Sequence, residues 1–143
     1  MDSRHSQLKG YALENFSLAS RAAVLDANLR VQSREMGPEF YEHLDRDFDG
    51  FRGCTLITEY TFTADWPTWE RHPMGDEMLY LVSGAITLLI RASEGEQTVE
   101  LDTPGNVVIV PKGCWHTGKV RASARVLFIT PGEGTENRES PDA

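Results

Sequence analysis

Trp69-Glu70-Arg71-His72-Pro73-Met74-Gly75-Asp76-Glu77 carries three side chains of the metal-ligating kind, Glu70, His72 and Glu77, within eight residues. Glu70 and His72 are two apart, so in an extended segment both leave the same face. Pro73 biases His72 away from helix and toward an extended conformation. In His72-Pro73-Met74-Gly75 the proline stands second and the glycine fourth, as a type I turn prefers. The chain therefore reverses after His72, and Glu77 opens a new strand whose inward face continues through Leu79 and Leu81. Three oxygen and nitrogen donors are aimed at one small volume.

A second stretch, residues 105–116, uses the same device. Pro111-Lys112-Gly113 turns the chain, after which Cys114 and His116 share a face. Carboxylate and imidazole together suit iron, manganese, nickel or zinc. The expectation is that the two stretches meet around one divalent metal, with Glu70, His72, Glu77 and His116 as its ligands. Glu70 is open between ligand, neighbouring acid–base group and salt-bridge partner. Cys114 is read as a small buried hydrophobe rather than a further ligand. Trp69 and Trp115 each sit one residue from a donor and should point to the opposite face of their strands.

Outward from these segments the apolar period is two. Leu56, Tyr60 and Phe62 mark one strand, and further strands follow over residues 78–82, 85–91, 98–101, 107–110, 115–120 and 125–130. Ser83-Gly84, Pro104-Gly105 and Pro131-Gly132 punctuate them, with Pro104-Gly105 fitting the centre of a type II turn. Upstream, Val24, Leu25, Leu29 and Val31 suggest two short strands or a hairpin. Residues 38–48 form the single helix candidate, with Phe40, Tyr41, Leu44 and Phe48 at helical spacing, Pro38 at its first position and Asp49-Gly50 ending it. Short strands with Gly/Pro turns predict an all-β sandwich or barrel with one short N-terminal helix. Residues 1–20 read as an N-terminal arm, 21–131 as one domain, and 132–143 as a disordered acidic tail. Runs such as 107–110 and 126–129 are apolar on both faces, which predicts a homodimer covering the outer one.

The chain has 143 residues, is 40% hydrophobic and 25% charged, and carries a formal charge of −8. That is one domain of ordinary size. The negative charge, with no basic cluster, argues against nucleic acid and anionic membranes as partners. No apolar run reaches the length of a membrane span, and residues 1–10 lack the apolar segment of a signal peptide. Cys54 and Cys114 are expected to stay reduced, in a cytoplasmic setting.

Together the two stretches resemble the paired motifs of the cupin superfamily. Glu70-x-His72, four residues, Glu77, six residues and Gly84 match the first; Gly105, five residues, Pro111-x-Gly113, two residues and His116 match the second. The resemblance spans roughly residues 54–131. It departs where Glu70 replaces the first histidine of the pattern and where Val120 replaces a terminal asparagine. It implies a small jelly-roll barrel holding one metal inside, with His72, Glu77 and His116 in ligand positions. It further implies a metal-dependent enzyme of oxygenase or isomerase type acting on a small molecule, with Glu70 as a candidate general base. A non-catalytic metal- or ligand-binding regulator and a structural barrel with a decayed site are the alternatives.

Overall fold

The computed structural model describes residues 13–142. Expectations for residues 1–12 of the N-terminal arm, and for residue 143, lie outside the described residues. Among the described residues, eleven strands and one helix follow in chain order: β1 (Arg21–Leu25), β2 (Val31–Glu35), α1 (Phe40–Asp47), β3 (Thr55–Phe62), β4 (Trp69–Arg71), β5 (Glu77–Gly84), β6 (Ile86–Ala92), β7 (Gly95–Leu101), β8 (Val107–Val110), β9 (Trp115–Lys119), β10 (Ala124–Thr130) and β11 (Glu136–Arg138). One sheet runs β2-β1-β3-β10-β5-β8 and the other β11-β4-β9-β6-β7. The strand pairs are antiparallel, and the two sheets form an all-β jelly-roll sandwich.

Alternation along the strands builds the core. Leu79, Leu81, Val126 and Phe128 from the first sheet meet Ile86, Leu88, Ile90 and Leu101 from the second. Burying each such side chain stabilises the fold by about 1.5–3 kcal/mol. Glu77 continues the inward face of β5, so this carboxylate is carried into the same interior, 2% exposed.

A second cluster joins α1 to the sheet. Phe40 and Leu44 lie on one helical face and pack with Ala22, Val24, Phe48, Phe51 and Leu56. The helix starts at Phe40 rather than at Pro38, which lies in the preceding turn; no side chain caps its N-terminus. Asp49, Gly50 and Phe51 then take φ of 51°, 69° and 58°, a left-handed run that ends the helix and turns Phe51 inward.

Two turns adopt the geometry their residues dictate. Asn106 N–H donates to the Thr103 carbonyl with Gly105 at φ 95°, and Cys114 N–H donates to the Pro111 carbonyl with Gly113 at φ 77°. At Gly84, φ is 77° and a Cβ would lie 2.1 Å from the Ser123 carbonyl oxygen, so the crossing into β6 is open only to glycine.

The C-terminal segment departs from the sequence reading. Within the expected disordered tail, Glu136, Asn137 and Arg138 instead pair with Arg71, Glu70 and Trp69 as β11. Their order comes from an edge strand that needs a partner, which composition does not reveal. Among the described residues, no helix is long and apolar enough to cross a membrane.

Candidate metal centre

β4 and β9 are neighbours, and their single registered pair sets Glu70 opposite His116. His72 follows β4 directly, and its carbonyl accepts the Gly113 N–H at 2.9 Å. The Asp76 carboxylate accepts the Lys112 N–H at 2.8 Å. The two motif turns are thus bonded to each other, and β5 delivers Glu77 between the imidazoles.

The donor atoms of Glu70, His72, Glu77 and His116 all lie within 4.8 Å of one another, an arrangement that could hold a metal ion. His116 Nε2 is 2.9 Å from Glu77 Oε1, and His72 Nε2 is 3.1 Å from Glu77 Oε2. Glu70 Oε2 stands 3.8 Å from His72 Nε2. The two imidazole rings are 5.3 Å apart between centroids. His72, Glu77 and His116 are buried, whereas the Glu70 side chain keeps 34% of its surface exposed.

Hydrogen bonding on the far side of each ring fixes what the near side offers. Thr135 Oγ1 donates to the Gly132 carbonyl, so its oxygen is left to accept from His72 Nδ1 at 2.8 Å. His116 Nδ1 donates to the Cys114 carbonyl at 3.1 Å. With both Nδ1 atoms protonated, each neutral ring turns an Nε2 lone pair toward the centre. Thr130 donates to Glu77 Oε2 at 2.6 Å, orienting the carboxylate.

The near-side atoms have no such bonds. His72 Nε2, His116 Nε2 and Glu77 Oε1 are buried without a hydrogen-bond partner, because their close approaches are not aligned as hydrogen bonds. Three orphaned donors converging in an apolar interior are costly unless a cation satisfies them. The residues present therefore fit a divalent transition metal bound by imidazole and carboxylate. Burial pushes the Glu77 carboxyl up, but while the His116 and His72 rings carry a proton on Nε2 their hydrogen bonds and charge outweigh it and bring the group down to about 2; a bound cation takes the place of those protons. Burial raises Glu70, and the neighbouring Glu77 charge raises it further.

A cavity of about 640 Å³ opens onto the centre, reaching Glu70, His72 and Glu77. His116 lies behind them, fully buried. Trp66 forms part of the cavity wall, its ring 6.1 Å from that of His116. Trp69 and Trp115 lie on the outer face of their sheet. The Trp115 ring is flanked by the Arg71 and Arg138 guanidinium groups at 5.1 and 4.9 Å. Cys114 is free and stands outside the donor group, packed against the main core. The threonines orienting the centre were not singled out in the sequence. Thr135 lay in the presumed tail, and a lone threonine carries no spacing signal.

The two sheets enclose the interior donor cluster, and the two motif turns hold it from one side. Solved structures similar to the chain include cupin-domain proteins. A cupin-2 domain protein from Shewanella frigidimarina is 18% identical, with 59% of this chain and 71% of that one covered at a TM-score of 0.45. Oxalate decarboxylase from Bacillus subtilis, described with Mn(II) centres, is 18% identical over 59% of this chain and 23% of its own, TM-score 0.48. A recombinant oxalate oxidase in complex with glycolate is 15% identical over 57% of this chain and 45% of that one, TM-score 0.49. The chain thus spans less than half the length of either oxalate enzyme. No protein-family model matches the sequence, and no curated protein matches it.

Proposed function

We propose that this chain holds one divalent transition metal through His72, Glu77 and His116, and that it is a metal-dependent enzyme acting on a small molecule. The observation that carries this is the set of three buried, partnerless donor atoms converging beside a cavity of about 640 Å³. That volume lies in the range of small-molecule sites. When bound, iron, manganese, nickel or zinc would supply Lewis-acid polarisation of a substrate oxygen, and iron or manganese also redox chemistry. The protein's own part is to orient the donors through Thr130 and Thr135 and to wall the site from water. Glu70 faces the cavity beside the other donors, where its carboxylate is placed to take or return a substrate proton. Oxygenase- and isomerase-type reactions both use such an arrangement.

Elemental analysis of protein purified without added metal tests the reading. About one equivalent of a transition metal is expected in the parent protein and background levels in His72→Ala and His116→Ala. Oxygen consumption by the Fe(II) form then separates oxygenase from isomerase chemistry. Unchanged metal content in both variants, with their folds intact, would remove the proposal.

We also propose that the chain pairs with a second copy through the outer face of the β8-edged sheet. Ile57, Ile129, Met78 and Ile109 stand side by side across β3, β10, β5 and β8, and Leu127, Tyr80 and Val107 form the next row. Ile109 and Val107 remain 61% and 47% exposed. A contiguous apolar face of this kind is suited to burial against another sheet.

A further inference from the structure

We infer that the cavity beside the metal centre takes an uncharged aromatic molecule; this rests on the reading of that cavity as the substrate site. Four of the aromatic rings that line it form one cluster. Tyr60, Phe62, Trp66 and Phe128 touch one another with centroids 5.4 to 6.1 Å apart, and all four line the space. The Trp66 indole rests its Nε1 edge on Gly118, where a Cβ would lie 2.9 Å away. That nitrogen is buried and has no partner. The indole therefore meets the cavity with its ring rather than its N–H. A planar ring is the guest that offset or edge-on packing against such a wall favours.

Charge excludes the other aromatic classes. Among the described residues, the lining includes no Lys or Arg, so no side-chain cation awaits a substrate carboxylate or phosphate. The lining carries the carboxyl groups of Asp45, Asp65, Glu70 and Glu77 instead, which do not welcome an anion. Cations fare no better. Glu70 and Glu77 face the metal centre, and Asp65 accepts the Val120 N–H at 2.8 Å and lies 3.7 Å from Lys119 Nζ. Asp45, the remaining lining carboxylate, is exposed at the mouth. The polar groups left for a guest are neutral, hydroxyls and the Asn137 carboxamide. The Tyr60 hydroxyl lies 3.5 Å from that of Tyr41, and Thr58 is buried in the wall. They suit a phenol, an alcohol or a carbonyl on the guest.

Calorimetric titration of the protein as purified, with four probes of like size, tests the inference: 2-naphthol, 2-naphthoate, 2-naphthylmethylammonium and decahydro-2-naphthol. The expected result is that 2-naphthol binds about fivefold or more tighter than the other three. Phe62→Leu should erase that preference while leaving metal content unchanged. Tighter or equal binding of the anion, the cation or the saturated alcohol overturns the inference, as does the absence of binding by all four. Metal content is measured on the same samples. Metal-free protein that still prefers 2-naphthol defeats the metal-centre reading alone, and metal-loaded protein without the preference defeats the aromatic-substrate inference alone.

Discussion

Thr135 shows how much of the centre is set by residues that never face it. Its hydroxyl accepts from His72 Nδ1, which keeps the His72 Nε2 lone pair aimed at Glu77. Thr135→Val should weaken metal affinity by about 10–100-fold, with Thr135→Ser restoring it. Titration against a competing chelator reads both. Gly84 illustrates the opposite case, a backbone position with no chemistry. Gly84→Ala forces a side chain into a positive φ and against the Ser123 carbonyl oxygen. A loss of about 2 kcal/mol or more is expected in denaturant unfolding. Much at this scale could be read directly. Glu70, His72 and Glu77 announce a shared face through their spacing around Pro73. Gly105 and Gly113 announce turns through the prolines just before them, and both take positive φ. The outward faces of Trp69 and Trp115 follow from alternation, but the guanidinium groups flanking Trp115 come from β4 and β11. Their meeting is a matter of tertiary placement, which local pattern does not encode.

Elements divide into those whose order is local and those whose order is borrowed. The helix α1 belongs mostly to the first kind. Its apolar face is visible in Phe40 and Leu44, although Pro38 misplaces the start because the chain uses it in a turn instead. Leu44 belongs to the cluster formed by α1, β1 and β3, separate from the cluster around the metal centre. Leu44→Ala should therefore cost about 2–5 kcal/mol of stability while leaving metal stoichiometry intact. β11 belongs to the second kind. The Gly, Glu and Ser content of the surrounding residues 132–143 reads as disorder, yet β11 pairs along β4, and Glu136 holds Arg71 at 2.8 Å. Removal of residues 132–143 should lower metal affinity at least as far as Thr135→Val does. It should also shift Trp115 fluorescence, because Arg138 leaves its ring. Unaltered affinity after that truncation would show that β11 is dispensable to the centre.

At the scale of the whole molecule the two faces of the β8-edged sheet have different fates. The inner face is filled by the barrel core and the outer one is left apolar. If two copies cover that face, light scattering at micromolar concentration gives a dimer, and Ile109→Lys gives a monomer with its metal retained. A parent protein that is monomeric under the same conditions would leave the outer rows uncovered and refute the pairing. The distribution of function over the molecule is uneven. The donors sit where the two sheets converge, the ring-lined cavity opens beside them, and the helix forms part of that cavity's wall through Tyr41, Leu44 and Asp45.

The bonds from Gly113 to the His72 carbonyl and from Lys112 to Asp76 have a consequence for how an ion arrives. They join main chain to main chain or to a carboxylate outside the donor set, so none of them depends on what the imidazoles hold. An ion therefore enters a frame that is already assembled, and little chain entropy is lost at loading. Exchange of one metal for another becomes a local event, in which Gly113 retains the same amide protection before, during and after the swap.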